Sequence, residues 1–562
     1  MSHTANHSIL RSAGVVGITT LASRVLGLAR DMATTAVLGG LSRDALLLAW
    51  TIPNLLRRLF GEGALSSALV PVFSQVRADH GLARALSVGR GVVTRLTVFL
   101  TGVLVLIIAL TYLLPGAWLV GLFESEEKAA LCLRLLRIFL PYLVIVCVLA
   151  QLGGILNCLG RFFVPAVAPA LLNATWVVAA LIAGLWPGLS DGVRATWIAV
   201  AILGGGFVQF AVTVVDLRPF GAWMRPSAEE TADVRRVFVT MAPLLVGLAA
   251  SQLNVLVDRL VAEGLVAGDG AVTHLYVAQR MIQFPLGLVS IAISTAAFPH
   301  FARLVATNDR AGLASTLFGS MRSGLFLSVP AFVGLLLLAD PIMELLFLRG
   351  EFTQANTAAS ARALVAYAAG IPFLTATMLL VRAYYALNRY RTAVTATLVS
   401  VAFNIVADFI LVYWMQETGI ALATSLAALV QTAILLPGLV TPESRRPALQ
   451  CLREFGATLA ASLLMTGAIL GGLYLVDSWE MSHGTVERLV RVSLPMTIGI
   501  VVFGIAARWL APESWRELLG LVQRRARRRF GGAAQERASP SGGSACGAPL
   551  ANESDLAKDT RE

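Results

Sequence analysis

Fourteen separate windows of about 20 predominantly apolar residues run through this chain, and no other feature limits its fold as strongly. They lie near 9–38, 45–76, 92–115, 131–158, 164–186, 195–217, 234–262, 272–301, 313–339, 355–386, 392–414, 418–440, 452–476 and 490–511. A helix of that length crosses a bilayer core while satisfying its own backbone hydrogen bonds. Alternating ten-residue segments of the membrane-barrel type are absent, so the expectation is an all-α polytopic membrane protein with 14 transmembrane helices. Composition agrees: 14% of residues are charged, against about 25% in a soluble domain. The first window is too long for a cleaved leader, carries Arg24 and Arg30, and is followed by further windows.

The net charge of +11 would suggest nucleic acid in a soluble protein. In a membrane chain it points instead to cytoplasmic loops and anionic lipids, so no nucleic-acid partner is expected. With the N-terminus inside, the six inner loops take seventeen arginines, from Arg77 to Arg453. The seven outer loops take six basic residues: Arg43, Lys128, Arg194, Arg349, Arg488 and Arg491. Both termini are therefore expected in the cytoplasm. Past the last window, 516–562 begins as a basic amphipathic stretch suited to headgroups and ends as a Gly/Ser/Ala-rich tail expected to be disordered.

Several chemistries are excluded. Lys128 and Lys558 are the only lysines and neither follows glycine, so no phosphate-binding P-loop exists. The six histidines form no H-E-x-x-H, no G-x-S-x-G occurs, and no catalytic residue or bound cofactor is expected. His274 and His300, near opposite ends of one window, read as interfacial. The five cysteines are scattered, which fits neither a disulfide framework nor a zinc site.

An internal repeat is visible. Ala68-x-x-Pro71-x-Phe73 recurs as Ala296-x-x-Pro299-x-Phe301, and Leu159-x-Arg161-Phe162 as Leu387-x-Arg389-Tyr390, both displaced by 228 residues. That displacement spans six windows, an even number, so the halves share one orientation. The expected architecture is two six-helix lobes, 1–218 and 219–440, as parallel repeats around a central cavity. A pair of C-terminal helices, 441–515, is then an appendage.

Ionisable groups at membrane depth are costly and mark function by default. The first window holds Arg24, Arg30 and Asp31, with Arg24 and Asp31 on one helix face. The second holds Pro53, Arg57, Arg58 and Glu62, where Pro53 and the glycines should break the helix and Arg58 is spaced to pair with Glu62. Arg280 precedes Pro285 in the eighth. Such arginines either snorkel to an interface and neutralise nearby acids, or converge as a fork-shaped anion site suited to a diphosphate. Asp258, Asn404, Asp408 and Thr424 supply four oxygen-bearing side chains from three windows. They either bind a hard monovalent cation or carry a proton, or they pair locally, as Asp258 would with Arg259.

Read together, Ser23-Arg24-Val25-Leu26-Gly27-x-x-Arg30-Asp31, Asp44-Ala45, Ile52-Pro53-Asn54-Leu55-Leu56-Arg57-Arg58 and Gly61-Glu62-Gly63-Ala64 resemble the MurJ/MviN family. Those proteins are bacterial lipid II flippases of the multidrug/oligosaccharidyl-lipid/polysaccharide exporter superfamily. Arg280 with Phe284-Pro285-x-Gly287, and Arg349-Gly350-x-Phe352-Thr353, are similar to that family's second-half motifs, and the resemblance runs from about 9 to 511. It implies movement of the undecaprenyl-diphosphate-linked muropeptide, lipid II, from the cytoplasmic to the periplasmic leaflet by alternating access. The location implied is the bacterial inner membrane, with the peptidoglycan synthesis machinery as partner and 441–515 as a groove for the lipid tail. It assigns Arg24, Arg30, Arg57, Arg58 and Arg280 to the diphosphate–sugar head, and Asp31, Asp44 and Glu62 to gating or charge pairing. It likens Asp258, Asn404, Asp408 and Thr424 to a sodium site, with Na+ or H+ and the membrane potential as drive. Gln279 and Gln283 depart from the family's D-R-x-x-E-F-P pattern, which removes two carboxylates beside Arg280. An exporter of another polyprenyl-diphosphate saccharide remains an alternative. A polytopic transferase acting on polyprenyl diphosphates fits less well, since no large loop carries an acid–base residue or an aspartate-rich metal motif.

Overall fold

The computed structural model describes residues 3–113, 123, 125–221, 232–479 and 484–520. The basic cluster 524–529 and the rest of the tail lie outside the described residues, as does the side chain of Glu62. The N-terminal half contains α1 (His3–Val37), α2 (Gly40–Leu56), α3 (Ala64–Leu113), α4 (Glu126–Cys158), α5 (Phe163–Leu185) and α6 (Asp191–Leu217). Next come α7 (Ala232–Leu265), α8 (Ala271–Pro285), α9 (Ile291–Ala306), α10 (Arg310–Phe347), α11 (Gln354–Ala368) and α12 (Ile371–Ala386). The chain continues through α13 (Tyr390–Met415), α14 (Glu417–Leu435), α15 (Arg445–Asp477) and α16 (Thr485–Leu510). Local sequence sets several of the starts. Ser125 caps α4 by accepting from Lys128 N at 3.2 Å, with Glu126 and Glu127 in the first turn, and Asp309 caps α10.

Among the described residues, nine helices are long and apolar enough to cross a membrane, or ten if the bent pair α11–α12 is one span. This is an all-helical polytopic membrane protein. The four remaining windows are helical too. They fall in α1, in α2 with the start of α3, in α7, and in α8 with α9. Side chains in α1 and α7 lie partly outside the described set, and the other two windows are divided by irregular turns. These same four carry Arg24, Arg30, Asp31, Arg57, Arg58, Asp258, Arg259 and Arg280.

The helix does not break at Pro53 as expected. Pro53 sits inside α2, and the chain widens into a π-helical turn, Arg57–Gly63, before continuing as α3. A π turn bonds i to i+5, so the helix widens there without ending. A second π turn, Leu286–Ser290, follows Pro285. Displacing the first by 228 residues lands it on the second. The same displacement relates two chain reversals: Arg161 N donates to Leu156 O and Arg389 N to Tyr384 O, both at 2.9 Å. Gly160 (φ 81°) and Asn388 (φ 56°) hold the left-handed position in each.

The apolar cores explain the shape. One core runs through both halves at the end that the arginine asymmetry assigns to the outside. It joins Leu46, Trp50, Phe139, Trp176 and Ile198 to Val272, Met343, Phe347, Leu364 and Ile420. Toward the inner end the packing divides in two. Phe73, Val92 and Leu143 form one core with Val234 and Val237 of α7, while Phe301, Phe318, Leu379 and Tyr384 form another. The halves share one core outside; inside, only α7 of the second half packs with the first, and a cavity opens between the rest. α15 and α16 pack on each other and on α10 through Phe326, Met465, Ile469 and Phe503.

Candidate functional site: an arginine-lined cavity between the halves

The cavity has a volume of about 600 Å³, and Arg24, Arg30, Arg57, Arg58, Arg259 and Arg280 all line it. No carboxylate occurs among its described lining residues. Asp31, directly behind the wall, is shared by two of the arginines. Arg30 donates to Asp31 Oδ1 from Nε (2.9 Å) and Nη2 (2.7 Å), and Arg280 Nε lies 3.2 Å from Asp31 Oδ2. Asp31 thus pairs with Arg30 and Arg280, although helical spacing places it on the face of Arg24.

Arg30 is the most enclosed member. It also donates to Asn173 Oδ1 (3.2 Å) and to the Tyr276 hydroxyl (2.7 Å), and stacks 4.5 Å from the Trp176 ring centre. With its donors occupied it shapes the wall. Arg280 keeps an exposed edge, with the Gln283 side chain 3.5 Å from Nη1. Arg57 donates twice to Asn54 Oδ1, at 3.2 and 3.0 Å. Arg58 is exposed to the cavity.

Two glycines let the cations approach the opposing helices. A methyl group added at Gly27 would overlap Arg280 Nη2, and one at Gly287 would come within 3.1 Å of Arg24 Nη1. Gly27 belongs to the first half and Gly287 to the second π turn, so each arginine reaches across the cavity to bare backbone.

At the outer end, Asp44 joins the halves instead of facing the cavity. Its carboxylate accepts from Gly270 N (2.7 Å), Thr273 N (3.0 Å) and the Thr273 hydroxyl (2.5 Å), filling the free donors at the start of α8. Lys128, read from sequence as a loop cation, is buried in the same cluster. Its Nζ lies 2.8 Å from Glu263, 3.1 Å from Asp269 and 3.5 Å from Asp44. Beside it the loop 348–353 docks on the end of α1. Glu351 N donates to Ala36 O at 3.0 Å, and a side chain at Gly350 (φ 56°) would collide with that carbonyl. Arg43 stacks on Phe352 at 4.8 Å. Arg349 is held below the ordinary arginine pKa by burial and the neighbouring Arg488. His274 is buried, not interfacial, bonded to Asn356 Oδ1 at 3.0 Å with Glu417 3.4 Å from Nδ1.

Of the oxygen-bearing set, the Asp258, Asn404 and Asp408 side chains converge, whereas Thr424 brings its backbone N and its hydroxyl donates to Ile420 O at 3.3 Å. Asn254 donates to Asp258 Oδ1 at 3.3 Å. With its amide nitrogen turned toward them, Asn404 donates to Asn254 Oδ1 (2.7 Å) and Asp258 Oδ1 (3.0 Å), and its oxygen accepts from Thr424 N (3.0 Å). Asp408 is fully buried beside Asp258, and outside that pair neither of its carboxylate oxygens receives a hydrogen bond among the described residues. Two neighbouring carboxylates with no basic side chain within ion-pair distance among the described residues suit a proton or a monovalent cation between them. Among the described residues no group of three or more His, Cys, Asp or Glu side chains is arranged to hold a metal ion.

Sequence reasoning missed three participants. Tyr276 and Asn173 are uncharged and give no signal in an apolar run. Arg259 was hidden by its neighbour: Asp258 suggested an ion pair, but successive helical residues point about 100° apart. Arg259 turns away from Asp258 and bonds to Thr51 and Leu47 of α2.

A family model described as lipid II flippase MurJ matches residues 35–494. The chain belongs to the lipid II flippase MurJ family. It is 32% identical over 518 residues to a Vibrio cholerae protein named probable lipid II flippase MurJ, covering 90% of this chain and 95% of the relative. A Bdellovibrio bacteriovorus protein of the same name is 33% identical, covering 82% and 90%. Among solved structures, "Lipid II flippase MurJ, inward closed conformation" superposes with a TM-score of 0.70 at 24% identity, over 88% of this chain and 99% of that one. An inward-facing multidrug transporter of the MATE family superposes at 0.58 and 14% identity, over 78% and 96%. The fold is therefore MurJ/MATE-like, and the family is one of transporters, not enzymes.

Proposed function

We propose that this chain carries lipid II from the cytoplasmic to the periplasmic leaflet of the bacterial inner membrane, supplying the peptidoglycan synthesis machinery. The observation that carries this reading is the convergence of arginines from both halves on one cavity whose described lining holds no carboxylate. Guanidinium groups bind diphosphate oxygens in pairs and stay charged when desolvated, so such a cavity suits a diphosphate head. A shared outer core above two inner cores, bridged between the halves by α7 alone, suits loading from the cytoplasmic side. In this reading the chain makes fourteen spans in two parallel six-helix lobes with both ends inside. α15 and α16 flank the lipid tail, and the basic 516–562 region meets anionic lipids.

With no P-loop in the sequence, this reading takes an ion gradient or the membrane potential as the drive. One charge moved through 100 mV supplies about 2.3 kcal/mol, enough for a few coupled charges to bias the cycle. Na+ or H+ at Asp258, Asn404, Asp408 and Thr424 would neutralise the paired carboxylates. A leaflet-specific assay of lipid II in depleted cells tests both parts. Arg24→Ala and Arg280→Ala are each expected to cut delivery at least about tenfold, the worth of a hydrogen bond to a charged group. Normal delivery by either variant would remove the cavity assignment. Asp408→Asn is expected to abolish the ion response, and delivery indifferent to both sodium replacement and this change would remove the ion site. A different polyprenyl-diphosphate saccharide would use the same arginines, and competition between the two lipids in the assay separates the readings.

A further inference from the structure

We propose that Arg259 is a further anion-binding residue of the cavity, held in reserve by α2 and transferred to the diphosphate of the bound lipid. The proposal rests on the reading of the cavity given above and adds a ligand that the arginines of the sequence motifs do not include.

Three observations support it. First, Arg259 is 8% exposed, and what exposure it has is to the cavity that Arg24, Arg58 and Arg280 line. Second, among the described residues no carboxylate lies within ion-pair distance of it, and Asp258 on the adjoining position faces Asn254 and Asn404 instead. A buried guanidinium without an acid is costly, and an entering anion relieves that cost. Third, its present partners are neutral and few. Nη1 donates to the Thr51 hydroxyl and to Leu47 O (3.4 Å), both neutral acceptors, and the residue lines the cavity. The Thr51 hydroxyl spends its own proton on Leu47 O at 2.7 Å, so it offers Arg259 a lone pair alone.

The location gives the transfer a direction. Arg259 is on α7 in the second half, and Thr51 and Leu47 are on α2 in the first. Its guanidinium also lies 5.6 Å from the ring centre of Tyr276, whose hydroxyl bonds Asp31 and Arg30. The residue therefore touches the back of the existing anion site while bridging the halves. Any motion that draws α7 from α2 strips its neutral acceptors, and a phosphate oxygen in the cavity replaces them with a charged one.

The test is binding of purified full-length protein to lipid II in lipid nanodiscs, with undecaprenyl diphosphate as second probe and undecaprenol as the uncharged control. Arg259→Gln is expected to weaken both diphosphate lipids about tenfold to a hundredfold and leave undecaprenol unchanged. Arg259→Lys, which keeps the charge but loses the fork, falls between. Thr51→Val decides between ligand and latch. It frees Arg259 without removing it, so diphosphate affinity should rise a few-fold, whereas a merely structural Arg259–Thr51 contact predicts no gain or a loss. Equal binding by wild type and Arg259→Gln, or weaker binding by Thr51→Val, overturns the proposal. A wild type that binds neither diphosphate lipid overturns the parent reading of the cavity, and this one with it.

Discussion

At the scale of single residues, the site depends on what is small as much as on what is charged. Gly27 leaves room for Arg280 to lie against α1 and reach Asp31. Gly27→Ala places a methyl against the far end of a flexible arginine, so the fold can accommodate it, and Ala is favoured over Gly in a helix by about 0.5–1 kcal/mol. The expected outcome is a melting temperature unchanged or raised, with lipid II delivery reduced about tenfold as Arg280 is displaced. Unaltered delivery would show that the close approach is incidental. Arg24, Arg58 and Arg280 were legible from sequence because a charge within an apolar run has few structural uses. Arg259 was equally charged but adjoined an acid, and only the direction of its side chain separates it from Asp258. Asn173 and Tyr276 hold the arginines in place without any charge that a sequence could display.

At the scale of elements, the outer lock consists of helix ends and not of long helix faces. Asp44 satisfies the first N–H groups of α8, and Lys128 from the start of α4 sits among Asp44, Glu263 and Asp269. One ammonium among three carboxylates is a marginal balance, and removing it leaves buried acids in contact. Lys128→Met keeps the bulk and loses the charge, at an expected cost of about 3–5 kcal/mol for an uncompensated buried group. Amide hydrogen exchange at Gly270 and Thr273 should then accelerate, and adding Glu263→Gln should restore part of the protection. Exchange that stays slow in Lys128→Met would mean that the cluster does not hold the halves together. The sequence marked Asp44 as a charged position but gave Lys128 to an outer loop, because burial at a helix start depends on packing between halves. It likewise located the irregularities at Pro53 and Pro285, but not their form: a π turn keeps the helix continuous where a break was expected.

At the scale of the whole molecule, the two ends of the bundle differ in how their cores are divided, and that asymmetry defines the motion the fold permits. The 228-residue displacement is the sequence's signal of a repeat, and the membrane class follows from the apolar windows. The state does not, since the same helices would line an outward-facing cavity, and choosing between them requires knowing which ends touch. Gly40 and Asp269 lie on opposite halves at the outer end, and a Cβ built at Gly40 falls 2.9 Å from that of Asp269. Disulfides favour Cβ separations of about 3.5–4.5 Å, so the pair Gly40→Cys and Asp269→Cys needs a small adjustment to close. In a background lacking the native cysteines, oxidation should link this pair readily, stop lipid II delivery and be reversed by reductant. Asp269→Cys alone controls for the lost contact to Lys128. If the linked protein still delivers lipid II at the unlinked rate, separation of the outer ends is not part of the cycle. A pair that fails to link would instead show that the closed outer end is not the resting state in the membrane.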